Sequence, residues 1–134
     1  MRRYMLDTNT CIYTIKRRPL GILATFNEHA GQMCISAITL AELYHGVEKS
    51  QQTERNRRNV EDFISRLDVV EYSTDAASHY GDIYATLQKQ GLSIDVNDLH
   101  IAAHARSLAL ILVTNDQDFN RVAGLRLENW LNRE

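Results

Sequence analysis

One proline, Pro19, is all the chain holds in 134 residues, and glycine is sparse at six. That scarcity excludes a proline- or glycine-rich linker and a low-complexity segment, so the chain is expected to fold throughout as one domain over 1–134. Long apolar runs are missing as well. A stretch such as 108–113 falls far short of the roughly 20 residues that span a bilayer, and the N-terminus lacks the apolar core of a secretory signal, so a cytoplasmic protein is expected. Cysteine is limited to Cys11 and Cys34, each among apolar neighbours, which suits buried, reduced thiols better than a disulfide framework. No charge sign dominates. Fifteen Lys and Arg against 17 Asp and Glu leave a net charge of −2. Bulk charge therefore argues for no polyanionic partner, and nucleic-acid contacts must rest on local clusters: Arg2-Arg3, Lys16-Arg17-Arg18, and Arg55 with Arg57-Arg58. For each cluster a solvated surface is the plain alternative.

What the sequence has instead is acids placed where apolar runs stop. Tyr4, Met5 and Leu6 are too few for a helix and end at Asp7, which reads as a buried strand with an acid at its carboxyl end. In open α/β sheets that edge holds the ligand crevices. Thr8 is expected to cap the helix suggested by Cys11, Ile12, Tyr13 and Ile15, and a helix-capping acid is the plain alternative for Asp7. Ile22, Leu23 and Phe26 follow at helical spacing up to Gly31, and 32–36 makes a second short apolar run ending at Ser36, the expected cap of the next helix. In that helix Ile38, Leu40, Ala41, Leu43, Tyr44 and Val47 form an apolar stripe that surrounds Glu42. A carboxylate is costly to bury alone, so Glu42 is expected to face a cation or a cleft unless it is simply exposed.

A charged helix is expected over 54–67, a brief strand over 69–71 and a long helix over 74–90, closed by Gly91. Asp95 or Asn97 then caps a helix whose first turn holds Asp98, a position where the free N–H groups already favour an anion. His100 and His104 lie four apart, but on a helix they point away from Asp98, so the pair is not read as a zinc site. Residues 110–114 form the clearest strand and run into Asn115, Asp116, Gln117 and Asp118. A short helix from Phe119 and Val122 and an edge strand over 125–127 complete the pattern. Strands alternating with helices predict an α/β protein: three layers, α/β/α, with a central, mostly parallel sheet of four to five strands.

Five acids are candidates for one crevice: Asp7, Glu42, Asp98, Asp116 and Asp118. Two carboxylates ~4 Å apart at an effective dielectric near 20 repel by about 4 kcal/mol, so such a group must be partly protonated or hold cations. Hard oxygen donors without thiolate or imidazole suit Mg²⁺, with Mn²⁺ as substitute, and the natural reaction is phosphodiester hydrolysis. The Asp7, Asp98, Asp116 and Asp118 carboxylates are the expected metal ligands. Asp7, Glu42, Asp98 and Asp116 are the expected catalytic set.

The segments MLDTN at Asp7, AEL at Glu42, NDLHIAAHA at Asp98 and TND at Asp116 together resemble the motifs of PIN-domain nucleases, and more closely the small VapC-type toxins of bacterial toxin–antitoxin pairs. The resemblance covers nearly the whole chain. It implies a PIN-like fold, a Mg²⁺-dependent endoribonuclease, a homodimer, a VapB-type antitoxin whose tail occupies the cleft, and an RNA substrate. That substrate would be tRNA, with the anticodon loop of initiator tRNA as the leading candidate. It also implies supporting places for Thr8, Asn9 and Thr114. Two departures stand out: Asp95-Val96 replaces a glycine-proline pair common in relatives, and Asp116 or Asp118 could complete the metal shell. Among the basic clusters, strand direction favours Lys16, Arg17 and Arg18 for RNA contact, because Arg2 and Arg3 enter the strand from its opposite edge. Competing readings are an RNA-processing PIN nuclease outside a toxin pair and a non-catalytic binding module. An aspartyl phosphatase of the haloacid-dehalogenase type would need a second acid where Asn9 stands, and a response-regulator receiver would need an acidic pair after the first strand.

Overall fold

Side chains on a strand alternate between its two faces, and here that alternation divides the core in two. In a computed structural model of the chain, which describes residues 1–131, Tyr4, Leu6, Met33, Ile35 and Val113 belong to one buried cluster. Met5, Cys34 and Leu112 belong to the other. Residues 132–134 of the expected domain lie outside the described residues.

The chain runs β1 (Tyr4–Leu6), α1 (Thr8–Lys16), α2 (Ile22–Glu28), β2 (Met33–Ser36), α3 (Ala37–Glu48), α4 (Thr53–Ile64), β3 (Asp68–Val70), α5 (Thr74–Lys89), α6 (Val96–Ser107), β4 (Ile111–Val113), a 3₁₀ turn (Gln117–Arg121) and β5 (Leu127–Glu128). The five strands pair in the order β3-β2-β1-β4-β5, every pair parallel. Helices α1 to α4 supply Cys11, Ile22, Phe26, Leu43, Val47, Val60 and Phe63 to the first face. Helices α5 and α6 cover the second with Ile83, Leu87, Leu99, Ile101 and Ala102. The result is the expected three-layer α/β/α sandwich. Full burial of each large aliphatic side chain contributes on the order of 1.5–3 kcal/mol, so either face alone supplies much of the stability. Cys11 and Cys34 are both free and buried, on opposite faces of the sheet.

Several boundaries move by one to three residues. The third strand starts at Asp68 rather than 69, the charged helix ends at Ile64 rather than 67, and the edge strand begins at Leu127 rather than 125. In the last case Leu125 is used to pack against the α5–α6 face before pairing begins. The cap of α1 is a correction of identity. Asp7, not Thr8, is the N-cap, its carboxylate accepting from Thr10 N–H, while Thr8 is already the first helical residue. Among the described residues no helix is long and apolar enough to cross a membrane.

Because all strands are parallel, their carboxyl ends share one edge, and between β1 and β4 the strand order reverses direction. Open parallel sheets form their crevice at such a switch point. Asp7 follows β1 there, and Thr114 to Asp116 follow β4.

Candidate active site

Asp7 is only 3% exposed, and both of its oxygens are used. Oδ1 accepts from the Thr10 backbone N–H at 2.9 Å, and Oδ2 accepts from the Thr114 hydroxyl at 2.5 Å. Thr10 is itself fixed by its hydroxyl donating to the Val113 carbonyl at 3.2 Å, and Thr114 Oγ1 in turn accepts from Asp116 N–H at 3.0 Å. The ends of β1 and β4 are thus joined through one carboxylate. Burial raises the Asp7 carboxyl above the ordinary range against these hydrogen bonds, and the charge of Asp116 adds to the rise.

Glu42 projects from α3, and its two oxygens are also held. Oε1 accepts from Thr8 at 2.5 Å and Oε2 from the Asn97 side-chain amide at 3.3 Å. Thr39 Oγ1 lies 3.4 Å from Thr8 Oγ1, but a hydroxyl carries a single proton, and the shorter bond takes it to Glu42. Thr8, expected as a cap, therefore ties α1 to α3.

Asp98 has the opposite character. It sits in the first turn of α6, half-buried, while Asp95 takes the N-cap and accepts from the backbone of Asn97 at 3.1 Å and of Asp98 at 3.4 Å. Among the described residues, the Asp98 carboxylate itself receives no hydrogen bond. Burial, then the charges of Asp95, Asp116, Glu42 and Asp7, push it up to about 7. Those neighbours show that the structure gathers four of the five expected acids, Asp7, Glu42, Asp98 and Asp116, and adds Asp95.

Asp118 is turned elsewhere. A 3₁₀ helix has three residues per turn, so side chains three apart eclipse. Asp118 shares a column with Arg121, 3.4 Å from it, and Arg121 also donates to the Ser93 carbonyl at 2.6 Å. Asp118 is not among the charges that act on Asp98. Its backbone N–H donates to Asp116 Oδ1 at 2.9 Å, so it helps to aim Asp116. Asn9 is exposed in the first turn of α1, and among the described residues no hydrogen bond ties its side chain to the acids.

The histidines of α6 serve packing. His100 stacks on Tyr80 with ring centroids 4.1 Å apart and meets the Tyr72 hydroxyl at 2.8 Å, and buried His104 meets Ser36 Oγ at 2.8 Å. Among the described residues no three His, Cys, Asp or Glu side chains stand close enough to grip an ion together. The donors of the acid cluster are nonetheless all oxygen, and Mg²⁺ keeps several waters and needs only one or two carboxylates directly. By donor chemistry the set suits that ion.

Two cavities flank the acids. A groove of about 670 Å³ is lined from α1, α3 and α4 by Ile12, Leu43 and Val47, by the cations Lys16, Arg18 and Arg55, and by Glu42. Arg17 is not part of it. Its left-handed backbone, φ 57°, turns the chain at the end of α1, and its side chain lines a separate hollow with Arg66 and Asp62. On the other flank, a polar pocket of about 220 Å³ lies against Asp116 and is lined by the amides of Asn115, Gln117, Asn120 and Asn129. Sequence reasoning missed Thr10 and Asn97 as hydrogen-bond donors of the site. Asn97 could have been found, since a cap candidate beside Asp98 shares its helix end.

Comparison with known proteins bears on this geometry. The PIN domain family matches residues 4–125. The chain is 58% identical to Ribonuclease VapC2 of Haemophilus influenzae over 98% of its length and all of that protein. It is 51% identical to the tRNA(fMet)-specific endonuclease VapC of Shigella flexneri, over 97% of this chain and 99% of the relative. The crystal structure of DNA-bound VapBC from Salmonella typhimurium superposes with a TM-score of 0.93 at 50% identity, covering 97% of this chain and 99% of the matched one.

Proposed function

The chain belongs to the PIN-domain family and, within it, to the VapC ribonucleases, and from that premise we propose that it is a Mg²⁺-dependent endoribonuclease toxin acting on tRNA in the cytoplasm. Initiator tRNA is the proposed substrate, cut in its anticodon loop, with a VapB-type antitoxin as inhibitor and a homodimer as the working state. The observation that carries the reading is the gathering of Asp7, Glu42, Asp95 and Asp116 around Asp98 at the switch point, where burial first and then those four charges raise the Asp98 carboxyl to about 7. A structural set of caps has no need to gather so much charge.

One or two of Asp7, Asp98 and Asp116 would hold the ion directly and the rest through its waters. When bound, Mg²⁺ supplies Lewis-acid chemistry, acidifying water and offsetting charge on the phosphate. The chain's own residues do the positioning. Asp7 is a fixed point because both oxygens are bonded, and Glu42, held by Thr8 and Asn97, orients a water for attack on phosphorus. Lys16, Arg18 and Arg55 along the groove take the neighbouring phosphates, which is how a protein of net charge −2 holds RNA. The same groove would take the tail of the antitoxin, its apolar side chains meeting Ile12, Leu43 and Val47.

The test is incubation of purified protein with initiator tRNA. A single cut in the anticodon loop is expected in Mg²⁺ or Mn²⁺ and none in EDTA, and expression without antitoxin is expected to arrest growth. Intact tRNA in both metals, at protein concentrations that bind it, would overturn the reading.

A further inference from the structure

The amide-lined pocket beside Asp116 has no part in the mechanism above. Three features define what it can take. First, its walls hold side-chain amides and no cation, with Thr114, Asp116, Leu127 and Glu128 completing the lining, so it does not suit a phosphate. Second, at about 220 Å³ it holds several waters' worth of space, where one water occupies about 30 Å³, so a flat heterocycle fits. Third, the 3₁₀ geometry that pairs Asp118 with Arg121 puts Gln117 and Asn120 in the next column, both facing the pocket. Among the described residues, the side chains of Asn115, Gln117 and Asn120 make no hydrogen bond within the protein, whereas Asn129 Oδ1 already accepts from Leu131 N–H at 2.9 Å.

We infer that this pocket reads one unpaired nucleobase next to the scissile phosphate. Each amide offers a paired donor and acceptor, the complement of a base's exposed edge, and single-stranded RNA is read through splayed bases bonded on those edges. Asp116 joins the pocket to the acid cluster, so a base seated there puts its own phosphate at the acids. This role rests on the nuclease reading, and the experiment separates the two.

The probe is a set of short single-stranded oligoribonucleotides in which each base in turn is replaced by an abasic site. Binding to the full chain is measured in Ca²⁺, and cleavage in Mg²⁺. In the wild type, one abasic position is expected to weaken binding about tenfold. The Gln117→Ala/Asn120→Ala variant, both changes on exposed residues, is expected to lose that dependence and keep the response at every other position. Asn120→Asp, which removes a donor and keeps the shape, should change which base is preferred in the cleavage assay. A variant that retains the wild-type abasic profile overturns the inference, as does wild-type binding indifferent to every abasic site. Wild-type protein that shows the profile but cleaves nothing keeps the base pocket and overturns the nuclease.

Discussion

Asp7 and Asp98 sit in one cluster and are held in opposite ways. Asp7 is buried with a donor on each oxygen, whereas Asp98 is half-buried with no donor on its carboxylate among the described residues. Both carboxyls are raised, and in both burial is the first cause. The difference lies in what opposes it. Hydrogen bonds from Thr114 and Thr10 offset the rise at Asp7, while at Asp98 four other acids add to it. A fixed anion and an adjustable one therefore share the site, and the adjustable one responds to any cation that enters.

The largest expected effect comes from removing the fixed charge. Asp7→Asn keeps a good N-cap and can still accept from Thr10 N–H, and the Thr114 hydroxyl can turn to accept from the new amide. The fold should survive, with an unchanged circular dichroism spectrum. On the proposed mechanism cleavage of tRNA should fall by at least about 10³-fold. Near-normal cleavage would remove Asp7 from the active set.

Next in size is loosening the fixed acid without touching its charge. Thr114→Val keeps the shape but leaves Asp7 Oδ2 and the Asp116 N–H without their partner. Unsatisfied buried groups cost about 1–3 kcal/mol, and losing the bond that orients a ligand typically lowers activity by about 10–100-fold. Since the Thr114 bond lowers the Asp7 pKa, the missing cleavage should recover in part as pH is raised. A rate deficit that is flat with pH would mean that Thr114 acts on the loop alone.

Asp98 predicts a smaller effect with a distinctive sign. Its folded carboxyl lies near 7 against an ordinary 3.8, so between those values the native state holds a proton that the unfolded chain has released. Stability in EDTA must then fall as pH rises through that window. Asp98→Asn removes the penalty. After discounting for the part of the group that faces water, the variant should gain on the order of 1–2 kcal/mol at pH 8 and almost nothing at pH 4, measured by urea unfolding. An equal gain at both values would mean that the acid is not the source.

The contrast between the two acids was only half legible in the sequence. A strand ending at Asp7, a stripe around Glu42 and a first-turn acid at Asp98 follow from local periodicity, and so does the parallel sheet. What each acid touches does not. Thr10 and Thr114 lie over 100 residues apart and meet at Asp7 only because β1 and β4 are neighbours in the sheet. Thr8 reads as a cap only when Asp7 is set aside from that role, whereas in the structure Asp7 caps α1 and also lies among the acids that act on Asp98. Asp95 is legible as one of two cap candidates for α6 but not as a charge on Asp98; as that cap it also supplies, after burial, the largest push on Asp98. That Asp116 acts on Asp98 while Asp118 pairs with Arg121 depends on a 3₁₀ turn rather than an α-helix, a distinction that four polar residues in a row do not encode.

The smallest expected effect tests whether the acids are separable from the groove beside them. Lys16 and Arg18 line that groove while Arg17 lines another hollow, so the informative variant is Lys16→Ala with Arg18→Ala, and Arg17→Ala is its control. Removing one cation from a phosphate should reduce the slope of log affinity against log salt by about one, so the double variant should flatten it by about two and the control by close to none. Affinity for tRNA is measured in Ca²⁺, where the bond stays intact. Neither cation appears among the causes acting on Asp7 or Asp98, so the pH profile of cleavage should stay in place while binding weakens. A flattened salt slope with a displaced pH profile would show that the groove sets the charge state of the acids, and the two kinds of carboxylate could then no longer be treated as properties of the cluster alone.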